Sequence, residues 1–344
     1  MGTGSTFEQV QLEKIFVKAF HPREKKSPIP LKRIRPKVIV IAGPTACGKT
    51  EISLLLAQAL RGEIISADSM QVYRGMDVGT AKATPYQRTL VPHHLIDIRN
   101  IQDEFNVVDF YYEARHCCEK LCCHDSIPII VGGSGFYIHT FLYGPPNGPS
   151  SIPEVRKALE AEVDRLGVQA LYQRLKDQDP NYASTITEHD RQKIIRALEI
   201  ITLSGNRVSA LPWKGRNASL GFDFRCWFFH RSRENLYKRV EERCDEMLQQ
   251  GFLSEISTLE QNGLKKNPSA SQAIGYRQGL DFLKTDRSEE EYEKFVLLFK
   301  QASRRYIKRQ FTWFRKESLF RWLDLDLHDP ETIVDIIVQD SKRR

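Results

Sequence analysis

The sequence predicts an α/β fold: a P-loop-containing parallel sheet flanked by helices, with an inserted all-helical domain and C-terminal helices. Three observations predict it. Between Lys37 and about Phe141 short apolar runs alternate with helical stretches, the pattern of a parallel sheet covered on both faces. VIVIAGPTACGKT, Val38 to Thr50, joins an apolar strand to a helix through a glycine-bearing turn of defined spacing. Residues 154–204 then read as helices without strands, and an apolar run returns at Cys226–His230.

Taken in order, Val38–Ile41, Glu63–Ser66, His94–Ile98 and Pro128–Val131 read as strands, and Leu54–Leu60 and Val107–Leu121 as helices. GPPNGPSSIP, Gly144–Pro153, is a turn-rich linker. EVRKALEAEVDRLG, QALYQRLKDQ and DRQKIIRALEIITLSG supply the helical insertion. A helix over Glu234–Gln250 follows the returning strand, and the chain stays largely helical to Phe314. The expected layout is a flexible basic leader over 1–36, a first core part over 37–145 and a helical insertion over 146–220 that contacts the nucleic acid. Residues 221–325 complete the core and carry basic helices, and 326–344 form a short tail.

Composition narrows the class. With 344 residues, 41% hydrophobic and 28% charged, the chain has the balance of a globular protein. No apolar run reaches membrane-spanning length, so no membrane partner is expected. The net charge of +7 fits a polyanionic partner. Seven cysteines, an odd number with one inside the phosphate loop, point to a reducing intracellular setting, cytoplasm or an organelle (plastid or mitochondrion). The CCEKLCC cluster lies in a helix and lacks a second Cys/His pair at zinc spacing, so it reads as a helix face. A monomer is expected.

The chemistry begins at Gly43, Pro44, Thr45, Ala46, Cys47, Gly48, Lys49 and Thr50. Glycines let the backbone curl so that N–H groups and a helix N-terminus surround a phosphate. Lys49 adds a cation, and the Thr50 hydroxyl is placed to ligate Mg²⁺. An ordinary NTPase also needs a carboxylate ending a second buried strand, but IPIIVGGSG ends in Gly132 and Gly133. The carboxylate that stands out is Asp68, after GEIISA: a turn former in isolation, a general base if it faces the phosphate loop. That set suits group transfer from a phosphorylated donor. Near the C-terminus, Arg305, Lys308, Arg309 and Lys316 share one helical face, with Ile307, Phe311 and Phe314 opposite. This is either a solvated basic face or, with Tyr306, Trp313 and Trp322 as stacking surfaces and together with Lys193 and Arg196 in the helical insert, a nucleic-acid contact.

GPTACGKT, ISADSMQVYRGMDVGTAK, PHHLIDI, VGGSGFYI, IIRALEI and QAIGYRQ…KRQFTWFR occur in that order, and together they closely resemble the tRNA dimethylallyltransferases, or tRNA isopentenyltransferases. The likeness runs from Lys37 to about Trp322. It implies transfer of a dimethylallyl group from dimethylallyl diphosphate to the exocyclic 6-amino group of the adenosine 3′ of the tRNA anticodon, in the anticodon stem-loop. By matching position, Asp68 would accept the amine's proton, and the loop from Gly43 to Thr50 would hold the diphosphate with Mg²⁺. Ser134 stands where the family has a threonine that fixes the target nucleotide, and Arg239 matches an arginine near the leaving diphosphate. Asp68, Ser69, Met70 and Gln71 match tRNA-contacting positions, as do Gln192, Lys193, Ile194, Ile195 and Arg196. So do Gln272, Ala273, Ile274, Gly275, Tyr276 and Arg277. No Cys/His zinc finger follows Trp322, so the chain resembles the shorter bacterial-type form. The rival readings are an adenylate isopentenyltransferase acting on free AMP, ADP or ATP in cytokinin synthesis, a P-loop small-molecule kinase, and an RNA-binding protein without catalysis.

Overall fold

The computed structural model describes residues 35–146, 148–211 and 221–343. Residues 1–34 of the expected leader, and residues 212–220 of the expected insertion, lie outside them.

Six parallel strands form one sheet in the order β3-β2-β4-β1-β5-β6. They are β1 (Lys37–Ala42), β2 (Gly62–Ser66), β3 (His93–His94), β4 (Ile127–Gly132), β5 (Asp223–His230) and β6 (Arg321–Asp324). Alternation along β1 explains why both faces are covered. Val38, Val40 and Ala42 enter one apolar cluster, and Ile39 and Ile41 enter the other. The first cluster is closed by α3 (Val107–Cys123) and α4 (Gly135–Tyr143) through Phe110, Ala114, Ile138 and Phe141. The second is closed by α1 (Lys49–Leu60) through Ile52 and Leu56, with α2 (Pro85–Leu90) at the sheet's margin. Asn106 caps α3 reciprocally with Asp109, and Cys118 is fully buried on its inner face.

Helices α5 (Pro153–Leu166), α6 (Val168–Gln178), α7 (Pro180–Ala183) and α8 (Arg191–Ser204) have their own apolar cluster around Leu159, Leu175, Ile194 and Leu198. This is the inserted helical region. After β5 come α9 (Arg233–Gln249), α10 (Phe252–Gln261), α11 (Tyr276–Phe282) and α12 (Glu289–Phe314).

Three sequence expectations are corrected. The strand expected over His94–Ile98 stops at His94, because Leu95 (φ 60°) and Asp97 (φ 58°) are left-handed. Asp97 takes that turn while its carboxylate receives Lys82 at 2.7 Å and Arg88 at 2.7 Å. Residues 326–344 are more than a tail: α13 (Pro330–Lys342) starts on an Asp329 cap and sends Ile333 and Ile337 into the α1 side of the core. Lys316 lies beyond the last turn of α12 and is not part of a continuous basic helical face.

Parallel register puts the ends of β1, β2 and β4 at one edge, with Ala42 opposite Gly132 and Ser66 opposite Val131. The phosphate loop, Asp68 and Ser134 all leave the sheet there.

Candidate active site

The loop after β1 has little freedom. A Cβ on Gly43 would lie 2.6 Å from the Phe229 carbonyl, so only glycine passes β5 here. Ala46 (φ 62°) and Gly48 (φ 109°) turn the chain left-handed. Four loop carbonyls are then held by cations. Lys49 Nζ donates to the Gly43 carbonyl at 3.1 Å and to Pro44 at 2.7 Å. Arg239 Nε donates to the Ala46 carbonyl at 2.9 Å, and Arg231 Nε to that of Cys47 at 2.9 Å. These bonds fix the conformation in which loop N–H groups cradle an anion. Gly48 precedes α1 without a side-chain cap, so the N–H groups of the first helical turn face no capping side chain. Burial pushes the Lys49 pKa down, and neighbouring Arg243 adds to the effect against the opposing pull of Cys47 and Asp68. An arriving anion would relieve that cost.

A cavity of about 400 Å³ opens beside the loop. Thr45, Lys49 and Thr50 line one side, and Asp68, Ser69, Met70 and Gln71 another. Val240, Cys244 and Met247 from α9 and Phe299 from α12 give it an apolar flank. The Asp68 carboxylate accepts the Met70 N–H at 2.9 Å, which aims the turn after β2. Ser134 Oγ accepts the Ser69 N–H at 3.2 Å, tying the turn after β4 to it. Tyr306 lines the same space, and burial raises its pKa to about 12, so the phenol stays protonated. A phosphate cradle, a carboxylate, the Thr50 and Tyr306 hydroxyls and an apolar wall thus face one space, whereas Ser134 sits behind its Ser69 partner and does not line it.

Not every expected residue reaches it. Arg239 does not line the cavity; it is exposed and steadies the loop from outside. Of the two arginines on α9, the one that enters is Arg243, one helical turn on, whose Nη1 donates to Thr45 Oγ1 at 3.4 Å; Arg309 of α12 also lines the cavity. Burial lowers its pKa, and the Asp68 charge opposes that shift. Cys47 is fully buried; its carbonyl is held by Arg231 and its sulfur lies 3.8 Å from Lys49 Nζ, behind the cavity wall. Gln272, Ala273, Ile274 and Tyr276 line the cavity, whereas Gly275 is buried behind it and Arg277 is exposed outside its wall.

In the helical insertion, Ile194 and Ile195 are 0% exposed in its core, so their side chains are packing residues and not contacts for RNA. Gln192 and Lys193 are exposed. Arg196 is half-engaged: it pairs with buried Glu199 at 2.7 Å and donates to the Pro149 carbonyl at 2.6 Å.

Sequence reasoning also missed Glu255. Its carboxylate accepts the N–H groups of Asp77, Val78 and Gly79 at 2.9, 2.6 and 3.1 Å, and the Tyr276 hydroxyl at 2.6 Å. Gly79, Thr80 and Tyr276 line the cavity, so one carboxylate braces two of its walls. The only sequence signal was an acid in the first turn of α10. Among the described residues, no group of three or more His, Cys, Asp or Glu is arranged to hold a metal. None of the described helices is long and apolar enough to cross a membrane.

A model of the IPP transferase family matches residues 71–317. A tRNA dimethylallyltransferase of Protochlamydia amoebophila is 60% identical over 317 residues, 92% of this chain and 92% of that one. One from Chlamydia pneumoniae is 48% identical, covering 85% of this chain and 86% of the other. Among solved structures, the full-length tRNA isopentenylpyrophosphate transferase of Bacillus halodurans superposes with a TM-score of 0.65 at 36% identity, covering 89% of this chain and 96% of that one. A eukaryotic dimethylallyltransferase acting on tRNA gives a TM-score of 0.75 at 28% identity, with 90% of this chain and 80% of that one covered. With the phosphate loop, Asp68 and Ser134 gathered at one sheet edge and likeness of this extent, the chain belongs to the IPP transferase family, the tRNA dimethylallyltransferases.

Proposed function

We propose that the protein transfers the dimethylallyl group of dimethylallyl diphosphate to the exocyclic 6-amino group of the adenosine 3′ of the anticodon in tRNA, releasing diphosphate. The single observation that carries this reading is one cavity shared by an anion cradle, a carboxylate and an apolar flank. A prenyl diphosphate needs the cradle and the flank; an amine acceptor needs the carboxylate.

The chemistry follows from the charges. As the allylic C–O bond breaks, positive charge grows on carbon and negative charge on the diphosphate. Lys49, Arg243 and the loop N–H groups oppose the second, so their stabilisation rises toward the transition state. The adenine amine is a weak nucleophile, so it needs positioning beside Asp68, which takes its proton as the C–N bond forms. Ser134, whose hydroxyl accepts the Ser69 N–H, would help to fix the incoming nucleotide from behind the wall formed by Gly133 and Ser69.

Mg²⁺ fits this donor set. Thr50 offers an oxygen ligand on the cavity wall, and Mg²⁺ commonly rests on one or two protein oxygens plus substrate phosphates and water. When bound, it would neutralise charge on the leaving diphosphate.

The tRNA reading is supported by exposed Gln192, Lys193, Gln272 and Arg277, by Arg309 on the cavity wall, and by exposed Lys308 and Trp313 on the same helix. The target base would leave the anticodon-loop stack to enter the pocket. Seven free thiols support a reducing compartment.

The test is labelled dimethylallyl diphosphate with Mg²⁺, offered unmodified tRNA in one reaction and AMP or ATP in another. Label in the tRNA is the expected result. Label on the free nucleotide would replace this reading with a cytokinin-forming adenylate isopentenyltransferase.

A further inference from the structure

We propose that Gln310 is a positioning residue that sets the donor loop in register with the acceptor side of the cavity, an inference that rests on the prenyl-transfer reading above. Gln310 lies on α12 and is 4% exposed. Its Oε1 accepts the Thr45 N–H at 3.0 Å, and its Nε2 donates to the Gly133 carbonyl at 3.0 Å. Thr45 belongs to the loop that would hold the diphosphate. Gly133 belongs to the turn that carries Ser134. Their parent strands pair as far as Ala42 and Gly132, after which one chain enters α1 and the other α4. The Gln310 carboxamide fills the fork between them.

The fit is close. A Cβ on Gly133 would lie 2.2 Å from Gln310 Nε2 and 3.2 Å from the Gly43 carbonyl. The fork needs an acceptor for one chain and a donor for the other at the end of a side chain of this length. Glutamine supplies both, glutamate cannot donate, and methionine does neither. One turn earlier on α12, Tyr306 lines the same cavity wall as Gln310. A single helix face therefore indexes the donor loop and the acceptor turn together.

Register matters because transfer requires the amine nitrogen close to the allylic carbon and in line with the departing diphosphate. A displacement near 1 Å costs on the order of 10²-fold in rate. When register is lost, water can intercept the donor. The water oxygen bonds to the allylic carbon, the C–O bond to diphosphate breaks, and the water proton goes to solvent. The products are a dimethylallyl alcohol and diphosphate in place of prenylated tRNA.

The experiment uses full-length Gln310→Met and Gln310→Glu with labelled dimethylallyl diphosphate, Mg²⁺ and a tRNA transcript. Label in tRNA and label in alcohol are read from the same tube, and affinity for inorganic pyrophosphate is measured by calorimetry. Gln310→Met is expected to lose transfer by about 10²-fold in kcat, with pyrophosphate affinity held within about threefold. Its ratio of alcohol to prenylated tRNA rises by about tenfold. Gln310→Glu, which keeps the bond to Thr45 but not the one to Gly133, falls between; it also carries the test if the methionine variant does not fold. A wild-type ratio in the folded variants, or a loss lying wholly in pyrophosphate affinity, overturns the inference. A wild-type protein that puts no label into tRNA overturns the parent reading, and this one with it.

Discussion

Glu255 gives the sharpest stability prediction. The perturbation is Glu255→Ala. It removes the acceptor for three consecutive N–H groups, those of Asp77, Val78 and Gly79, and for the Tyr276 hydroxyl. Hydrogen bonds to a charged partner contribute about 1.5–3 kcal/mol each, but the four do not all remain unpaired in the variant. Asp77 is exposed, and water can replace the lost bonds at its end of the segment. Tyr276 is 1% exposed and packs edge-on against Phe252, with ring centroids 5.0 Å apart, so its hydroxyl has little access to solvent. Counting Tyr276 and the half-buried Gly79 as unsatisfied gives a loss of about 3 kcal/mol. For a chain of this size that lowers Tm by about 4 °C.

The assay is thermal denaturation of Glu255→Ala and Glu255→Gln beside the wild type, with transfer kinetics on the same preparations. Glutamine keeps one acceptor oxygen but turns an N–H₂ toward N–H donors, so it should recover part of the loss and not all. Because Gly79, Thr80 and Tyr276 line the cavity, kcat/KM for the acceptor should fall further than the stability loss explains at 25 °C, where both variants remain folded. A Glu255→Ala protein melting within about 1 °C of wild type with full activity would refute the reasoning. The segment would then be held by its other contacts, the Gln71 amide on the Thr80 carbonyl at 3.2 Å and Lys82 on the Tyr73 carbonyl at 2.9 Å.

Three further outcomes follow from the site. Arg243→Ala should weaken pyrophosphate binding by on the order of tenfold or more, and Arg239→Ala only severalfold, since Arg243 reaches the cavity and Arg239 grips the loop from outside; calorimetry that reverses the order would restore Arg239 as the anion's partner. Asp68→Asn should cut transfer by about 10²–10⁴-fold while leaving pyrophosphate affinity near wild type, and single-turnover kinetics on tRNA decide it. Lys49 has a pKa depressed by burial in the free protein, and a bound diphosphate should raise it. Anion affinity is therefore full below the depressed value, falls as pH rises through it and levels off above the bound-state value. Pyrophosphate titrations across alkaline pH should show this decline in wild type and not in Lys49→Met.

The phosphate loop was legible because its spacing and turn chemistry are written in adjacent residues, even though Arg231 and Arg239 hold it from 184 and 193 residues away. Gly43 passes under the Phe229 carbonyl, Gly48 takes a positive φ, and α1 begins at the next residue. The alternation that identified β1 is equally local. Where the sequence misled, a distant residue had decided the backbone. The run at His94–Ile98 has strand chemistry, yet Lys82 and Arg88 draw Asp97 into a left-handed turn. The last helix carried its own signal, Asp329 followed by Pro330 and an IVDIIV run, which is the grammar of a capped helix start.

Site residues divide along the same line. Arg239 and Arg243 stand one helical turn apart on α9, so both can face the loop, and no periodicity tells which reaches inside. What decides is how α9 docks: Val240, Cys244 and Met247 line the cavity, so the residue beside Cys244 enters with them. In the insertion, Ile194 and Ile195 follow exposed Lys193 directly, and a family motif spans both faces of the helix without separating contact from core. Gln310 is the extreme case. It lies 265 residues from Thr45 and 177 from Gly133, and its importance exists only once α12 has crossed the sheet edge. Local chemistry names the groups that meet the substrate. The groups that hold those in register are set by helix docking, and a long-range amide such as Gln310 becomes visible only in the assembled fold.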